Sequence, residues 1–251
     1  MKTKNKFTLG FEVEGLYRFI ENEGGYGQES SEPLCDYWST SEDSSIEGGS
    51  SGDIDPDMYC EDCEEYGCEC GACDINSDGE WSAVEIVSDV LTTDNYKQAL
   101  KTFQNVVSTP NTKKLVNLAE FNSSTGCHIH FGVPGESMRD FMSVEAVIMF
   151  RKVFERKLML AVKHKLIDLT TVKKVLDHYY RGYAKNNVNN RGERGSLNFP
   201  SEWNTIEWRS FNLYGVKTWK EFHNIFDIAI STIDYMISNR HKAVKAFTIE
   251  Q

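Results

Sequence analysis

Three pairs of polar residues in this chain share one spacing. Glu12-Val13-Glu14, His128-Ile129-His130 and Glu207-Trp208-Arg209 each bracket a large apolar side chain. On an extended strand successive side chains point to opposite faces, so each pair projects from one face while the residue between enters the core. Two carboxylates placed that way repel unless water or a cation lies between them. A single Glu-x-Glu reads as a solvated edge. The same spacing on three strands, each with turn or small polar residues nearby, points instead to one cavity. Carboxylates and an imidazole can hold Mg²⁺ ions, which bridge and neutralise phosphate oxygens. An arginine two residues from a ligand glutamate can then stabilise charge on a phosphoryl group in transfer.

Residues 59–73 (YCEDCEEYGCECGAC) carry a second chemistry. Cys60-x-x-Cys63 and Cys70-x-x-Cys73 are thiolate pairs separated by six residues, with Cys68 between them. Four thiolates on short turns fit a tetrahedral Zn²⁺, and Cys68 can replace one of the four or remain free. The segment is acidic and poor in core residues, so a structural zinc would staple it. The alternative is a disulfide-bonded loop of an exported protein. Against it, the apolar stretch after the basic residues 1–6 is short and broken by Glu12, unlike a secretory signal. Cys35 and Cys127 are expected to pack as small apolar residues. Asp74-x-Asn76-x-Asp78-Gly79, with Glu85 six residues on, matches an EF-hand loop. Calcium binding there needs a helix on either side, but residues 83–90 (AVEIVSDV) read as a strand, so Glu85 is assigned to the cavity.

The elements that must position these groups are mixed. Strands are expected at residues 7–15, 33–41, 83–90 and 204–211, with residues 122–133 a turn feeding a strand. Helical spacing runs through residues 94–108, with Thr93 or Asp94 as N-cap. It recurs through 136–165, where Phe141, Val144, Ile148, Val153 and Leu160 form the expected core stripe. A shorter helix covers 171–180. The closing helix, 219–238, turns Phe222, Phe226, Ile230, Ile233 and Ile237 inward. Residues 115–121 fit either helix or strand, 181–198 (RGYAKNNVNNRGERGSLN) read as a polar basic loop, and 48–57 as a flexible linker.

With 251 residues, 40% hydrophobic and 12% aromatic, one core is feasible. The net charge of −11 is uneven: residues 19–96 hold 22 acidic side chains and no lysine or arginine, which leaves the rest of the chain basic. A basic body suits an anionic ligand such as a nucleotide. No basic run is long enough to argue for DNA or RNA. No window is apolar for long enough to span a bilayer, and a cytoplasmic location is expected.

The motifs GFEVEG, DSS, VEIVSDVL, TGCHIHFG, RGSLN and TIEWRSF occur in this order from Phe7 to Phe211. In that order they resemble the amidoligase family of ATP-dependent carboxylate–amine ligases, which is related to glutamate–cysteine ligase and glutamine synthetase. The resemblance implies one catalytic domain over residues 1–251 with an α+β fold. A curved, mostly antiparallel sheet of the glutamine-synthetase type would carry the polar pairs on one face and helices on the other. The terminal helix would pack near the first strand. The acidic, cysteine-rich residues 48–80 interrupt the pattern between DSS and VEIVS and read as an insertion.

By position, the resemblance makes Glu12 and Glu14 metal-binding carboxylates, with Glu85 another and Asp43 a looser match. His128 would bind Mg²⁺ and His130 would touch nucleotide phosphate. Glu207 would be a further metal ligand, and Arg209 would neutralise the γ-phosphoryl group. Arg194 and Asn198 would face the nucleotide or acyl phosphate, with Arg181 a similar candidate. In the implied reaction ATP phosphorylates a substrate carboxylate and an amine attacks the acyl phosphate. The products are an amide or isopeptide bond, ADP and phosphate, with the protein positioning the reactants and neutralising charge.

Two other functions fit subsets of these residues. A metal-dependent hydrolase using His128, His130 and the carboxylates on Zn²⁺ or Mn²⁺ would act without ATP. A Ser/His/Asp hydrolase fits poorly, since Gly48-x-Ser50-x-Gly52 falls in the expected flexible linker and not in a strand-to-helix elbow. A non-enzymatic zinc module, whose cysteine loop binds a partner protein, would tolerate changes at Glu207 or Arg209. The ligase's own partners would be small-molecule or peptide amines and carboxylates, which no motif in the chain specifies further.

Overall fold

Alternation sets the first strand, β1 (Thr8–Tyr17). Phe7, Leu9, Phe11 and Val13 are buried in the core, so Gly10, Glu12 and Glu14 share the opposite face. The computed structural model describes residues 5–17, 32–42, 59–60, 65–66, 82–107, 119–121, 125–141, 143–180, 185–189, 195–199 and 204–247. In chain order the other strands are β2 (Glu32–Cys35), β3 (Trp38–Glu42), β4 (Tyr59–Cys60), β5 (Glu65–Tyr66), β6 (Ser82–Ser88), β7 (Leu91–Thr92), β8 (Ala119–Glu120), β9 (Cys127–Gly132), β10 (Lys185–Asn189), β11 (Gly195–Asn198) and β12 (Ile206–Phe211). The helices are α1 (Tyr96–Val107), α2 (Val144–Lys163), α3 (Leu169–Tyr180) and α4 (Trp219–Phe247).

Ten of these strands form one sheet in the order β10-β11-β12-β9-β1-β6-β3-β2, with β7 and β8 also paired to β1. Only β10 and β11 run parallel, so the fold is α+β with a mostly antiparallel sheet. Aromatic side chains join its apolar face to the helices. Phe11 meets Phe226 of α4 edge-on at 5.1 Å, and Trp38 meets Phe103 of α1 at 4.9 Å. Trp208 packs on Phe154 of α2 at 5.0 Å, and Phe131 on Phe150 at 5.7 Å. Burying each such ring stabilises the fold by about 2–3 kcal/mol, so this layer holds the opposite face in place. The terminal helix packs on the first strand, as expected. Phe222, Phe226, Ile230, Ile233 and Ile237 are all buried, and Asn5 N–H donates to Asp234 Oδ1 at 2.9 Å.

Several elements differ from expectation. Residues 33–41 are a hairpin, because the chain reverses at Asp36 and Tyr37, where Tyr37 takes a φ of 75°. The N-cap of α1 is Asn95, whose carbonyl accepts from Gln98 and Ala99. Ser143 starts α2 by accepting the Ala146 N–H on its hydroxyl at 3.1 Å, after a short 3₁₀ turn, Arg139–Phe141. The stripe of α2 is also displaced. Val147, Phe150, Phe154, Leu158 and Ala161 are buried, whereas Ile148 is 39% and Leu160 48% exposed. The two phenylalanines are the bulkiest apolar residues of the helix and decide which side turns inward. Residues 181–198 supply β10 and β11, polar strands that pair at the margin of the sheet. Residues 119 and 120 are strand, and α4 runs beyond 238 to Phe247.

Two polar groups, Glu221 buried and Lys157 half-buried, tie the helices together. Glu221 accepts from the N–H of Asp168, the hydroxyl of Thr171 and the N–H of Lys217 at 3.0, 3.1 and 3.1 Å. It thereby joins the starts of α3 and α4. Lys157 of α2 donates its ammonium to the carbonyl and hydroxyl of Ser231 on α4. Among the described residues no helix is long and apolar enough to cross a membrane.

Of the segment between β3 and β6, the structure describes only β4 and β5, with Tyr59 opposite Tyr66 and Cys60 opposite Glu65. The linker at 48–57, Cys63, Cys68, Cys70, Cys73 and the EF-hand-like residues 74–79 lie outside the described residues.

Candidate metal centre

Strand β1 lies between β6 and β9, and its register brings the polar pairs together. Glu12 stands opposite His128, Glu14 opposite Glu85, and Glu207 of β12 opposite His130. Opposed residues of an antiparallel pair share a face, so all six project from the side that the aromatic layer leaves to polar groups. A slip of one residue would send the whole set into the core, so the apolar face fixes the register of the polar one.

His128 is the hub. Its Nδ1 lies 2.8 Å from Glu12 Oε2 and 3.5 Å from Glu207 Oε1, and its Nε2 lies 3.4 Å from Glu14 Oε1. Glu12 reaches the second histidine as well, with Oε1 2.7 Å from His130 Nε2. Arg209 Nη1 sits 3.1 Å from Glu207 Oε1, and the Asn198 amide donates to Glu207 Oε2 at 3.0 Å. Asn198 therefore orients a carboxylate, a role its place in RGSLN did not suggest. Glu14, His128 and Glu207 are all buried.

Burying several carboxylates together costs free energy unless cations answer them. Burial alone pushes the Glu12 carboxyl up, but hydrogen bonds from His128 and His130 outweigh it and hold that carboxyl well below the usual range. Burial lowers His128, yet its hydrogen bond to Glu12 and the nearby Glu14 raise it overall. The surrounding carboxylates thus favour the protonated imidazole, which answers part of their negative charge. A divalent cation can take over that role.

Two sets of three residues bring ligand atoms within 4.8 Å of one another: Glu12, His128 and Glu207, and Glu14, Glu85 and His128. The nitrogen near Glu12 and Glu207 differs from the one near Glu14, so a neutral His128 can ligate a metal in one set through its free nitrogen while the N–H of the other faces the second set. Carboxylate oxygens are hard donors that fit Mg²⁺ or Mn²⁺, and the imidazole is a borderline donor that also suits Zn²⁺. Cys127 adds no thiolate to the set: it is buried on the apolar face, and burial pushes its thiol well up.

Strand β12 carries a bulge. Trp208 opposes Ile129 and Phe211 opposes Cys127, so three steps on one strand match two on the other. The extra residue lets Trp208 and Phe211 both enter the core despite their odd spacing, and it puts Arg209 in the locally twisted stretch beside the site.

Eight of the residues singled out from the sequence meet here: Glu12, Glu14, Glu85, His128, His130, Asn198, Glu207 and Arg209. Asp43, Arg181 and Arg194 lie outside the described residues, as does the side chain of Cys60. Gly126 was missed. Its N–H donates to Glu14 Oε2, and the signal for it was alternation, since residues 126, 128 and 130 share a face.

No protein-family model matches this sequence, and no curated protein does. Among solved structures the chain is similar to glutamine synthetase of Plasmodium falciparum, with 14% sequence identity and a TM-score of 0.41. The match covers 93% of this chain and 52% of that one, so the chain spans about half the length of the structure it matches.

Proposed function

We propose that this chain is an ATP- and Mg²⁺-dependent ligase that joins a carboxylate to an amine through an acyl phosphate. Its sheet would be of the glutamine-synthetase type within an amidoligase-like domain over residues 1–251. The observation that carries the reading is the meeting of two carboxylate sets on the two nitrogens of His128, with Arg209 and His130 alongside.

Glu12, His128 and Glu207 would hold one Mg²⁺, and Glu14 and Glu85 a second, with Asp43 a further carboxylate. Such ions would supply positive charge that neutralises phosphate oxygens. Arg209 neutralises charge on the γ-phosphoryl group, and His130 faces nucleotide phosphate. Asn198 steadies Glu207, while Arg194 and Arg181 are assigned to the nucleotide or acyl phosphate. Cys60, Cys63, Cys70 and Cys73 would hold a structural zinc within the insertion at 48–80, with Cys68 able to replace one of them.

The test is thermal stability with Mg²⁺ alone, ATP alone and both together, for the natural protein and Glu207→Gln. Stabilisation that needs both ligands and is lost in the variant supports the ligase, and ADP release stimulated by added amines and carboxylates would then define its substrates. No response to Mg·ATP sinks this reading. Hydrolysis with metal but without ATP would favour a hydrolase instead.

A further inference from the structure

We propose that Gly126 is a positioning residue of this centre: its N–H fixes one oxygen of Glu14, and its missing side chain leaves the space in which Glu14 and His128 meet. The inference rests on the metal-dependent reading above.

Gly126 immediately precedes β9, is buried, and is bound to Glu14 twice. The Glu14 N–H donates to the Gly126 carbonyl at 3.1 Å, and the Gly126 N–H donates to Glu14 Oε2. With Oε2 held by the backbone, Oε1 is the oxygen turned to His128, 3.4 Å from Nε2. The same hydrogen bond restricts rotation of the carboxylate, so the ligand atom is set before a metal arrives.

Space is the second observation. A Cβ on residue 126 would stand 2.7 Å from His128 Nε2 and 3.0 and 3.1 Å from the two Glu14 carboxylate oxygens. The backbone itself does not demand glycine: among the described residues the glycines with positive φ are Gly135 and Gly215. What excludes a side chain here is the closeness of two candidate ligands.

The kind of atom in the way separates a positioning role from a structural one. At Gly15 a Cβ would strike the ring of Tyr17 at 2.9 Å, and that ring is fully buried, with its hydroxyl on the Val13 carbonyl. At Gly126 it would strike only the tips of two side chains. Those tips can turn where a core ring cannot, and any turn that clears the Cβ changes the spacing of Nε2 and the carboxylate oxygens on which the ligand set depends. Gly10 supplies the control, since its Cβ would meet His130 Cβ at an ordinary 3.5 Å.

Mn²⁺ titration followed by electron paramagnetic resonance, paired with melting of the metal-free protein, tests the proposal on the natural protein, Gly126→Ala and Gly10→Ala. Gly126→Ala is expected to bind Mn²⁺ about 10- to 100-fold more weakly, with any fall in the metal-free melting temperature too small to account for that loss, as for other partners that orient metal ligands. Gly10→Ala is expected to bind as the natural protein does. Equal affinity in Gly126→Ala overturns the proposal, as does a loss matched by a fall in metal-free stability. Absence of Mn²⁺ binding by the natural protein overturns the metal reading and this inference with it. If Gly126→Ala does not fold, the amide resonance of Gly126 in glycine-labelled natural protein decides. It should move on adding Mg²⁺ and on Glu14→Gln, and an amide that ignores both overturns the role.

Discussion

The guanidinium of Arg209 lies 3.1 Å from Glu207 Oε1, the same oxygen that lies 3.5 Å from His128 Nδ1. Arg209 therefore shares its carboxylate with a candidate metal set, and a cation settling on that oxygen weakens its hold on the arginine. The arginine is then available to an anion such as a transferring phosphoryl group. Arg209→Ala is expected to bind Mn²⁺ as tightly as the natural protein or more so, while ATP turnover falls by about 100-fold or more. Metal titration beside ADP release separates these effects. A parallel loss of both would assign Arg209 only to holding Glu207.

The ionisation of Glu12 and His128 gives the site a pH signature. Glu12 lies below its ordinary 4.5, so its contribution to stability is full above that pH and is lost as pH falls toward the folded value. His128 lies above its ordinary 6.5, so its contribution is full below 6.5 and is lost as pH rises through the folded value. For the metal-free protein this cluster is most stabilising from pH 4.5 to 6.5. Mn²⁺ affinity runs the other way above that window, because His128 must shed its proton to become a ligand. Urea midpoints with and without Mn²⁺ across this range check both slopes, and Glu12→Gln should flatten them.

Glu221 is a stability residue rather than a functional one. Removing it takes the acceptor from the N–H groups of Asp168 and Lys217 and leaves the Thr171 hydroxyl only the Gly215 carbonyl, at 3.3 Å, at the junction of α3 and α4. Glu221→Ala should cost about 2–4 kcal/mol in urea unfolding, in the range of a buried charged acceptor lost from several partners. Mn²⁺ affinity of the folded variant should not change.

Lys157 should make stability rise in mild alkali. Burial pulls its ammonium down to about 8, against some support from Asp234. Above that pH the folded chain sheds a proton that the unfolded chain keeps until 10.5, so folding is favoured progressively between the two values. The neutral amine still donates to Ser231. Lys157→Met should remove this rise, which denaturation midpoints at pH 7.5, 9 and 10 would show.

The sequence was most legible where two periods coincided with function. Phe7, Leu9, Phe11 and Val13 declared a strand, and the same alternation set Glu12 and Glu14 on its other face. The strands bearing His128 and Glu207 followed by the same rule. Position along a strand says nothing about which strand is its neighbour, however. That Glu14 would oppose Glu85, and that one histidine would serve two carboxylate sets, depended on sheet order. The stripe of α2 was misread because apolar residues occupy more than one side of that helix, and only the packing of Phe150 and Phe154 on Trp208 picks the side. Asn198 and Gly126 were obscured for another reason. Each acts by holding a neighbour's carboxylate, and such a role has no spacing of its own.

One pairing in the sheet bears on how this chain could have been assembled. Strands β3 and β6 are direct neighbours, with Glu42 opposite Val84. The two described strands stand side by side at that rung, where opposed backbones are about 5 Å apart. A gap that narrow can be closed by a two-residue turn. A chain in which so short a turn joined residue 42 to residue 84 would keep the β3–β6 pairing, so the register of the polar face need not depend on the length of what connects these two strands.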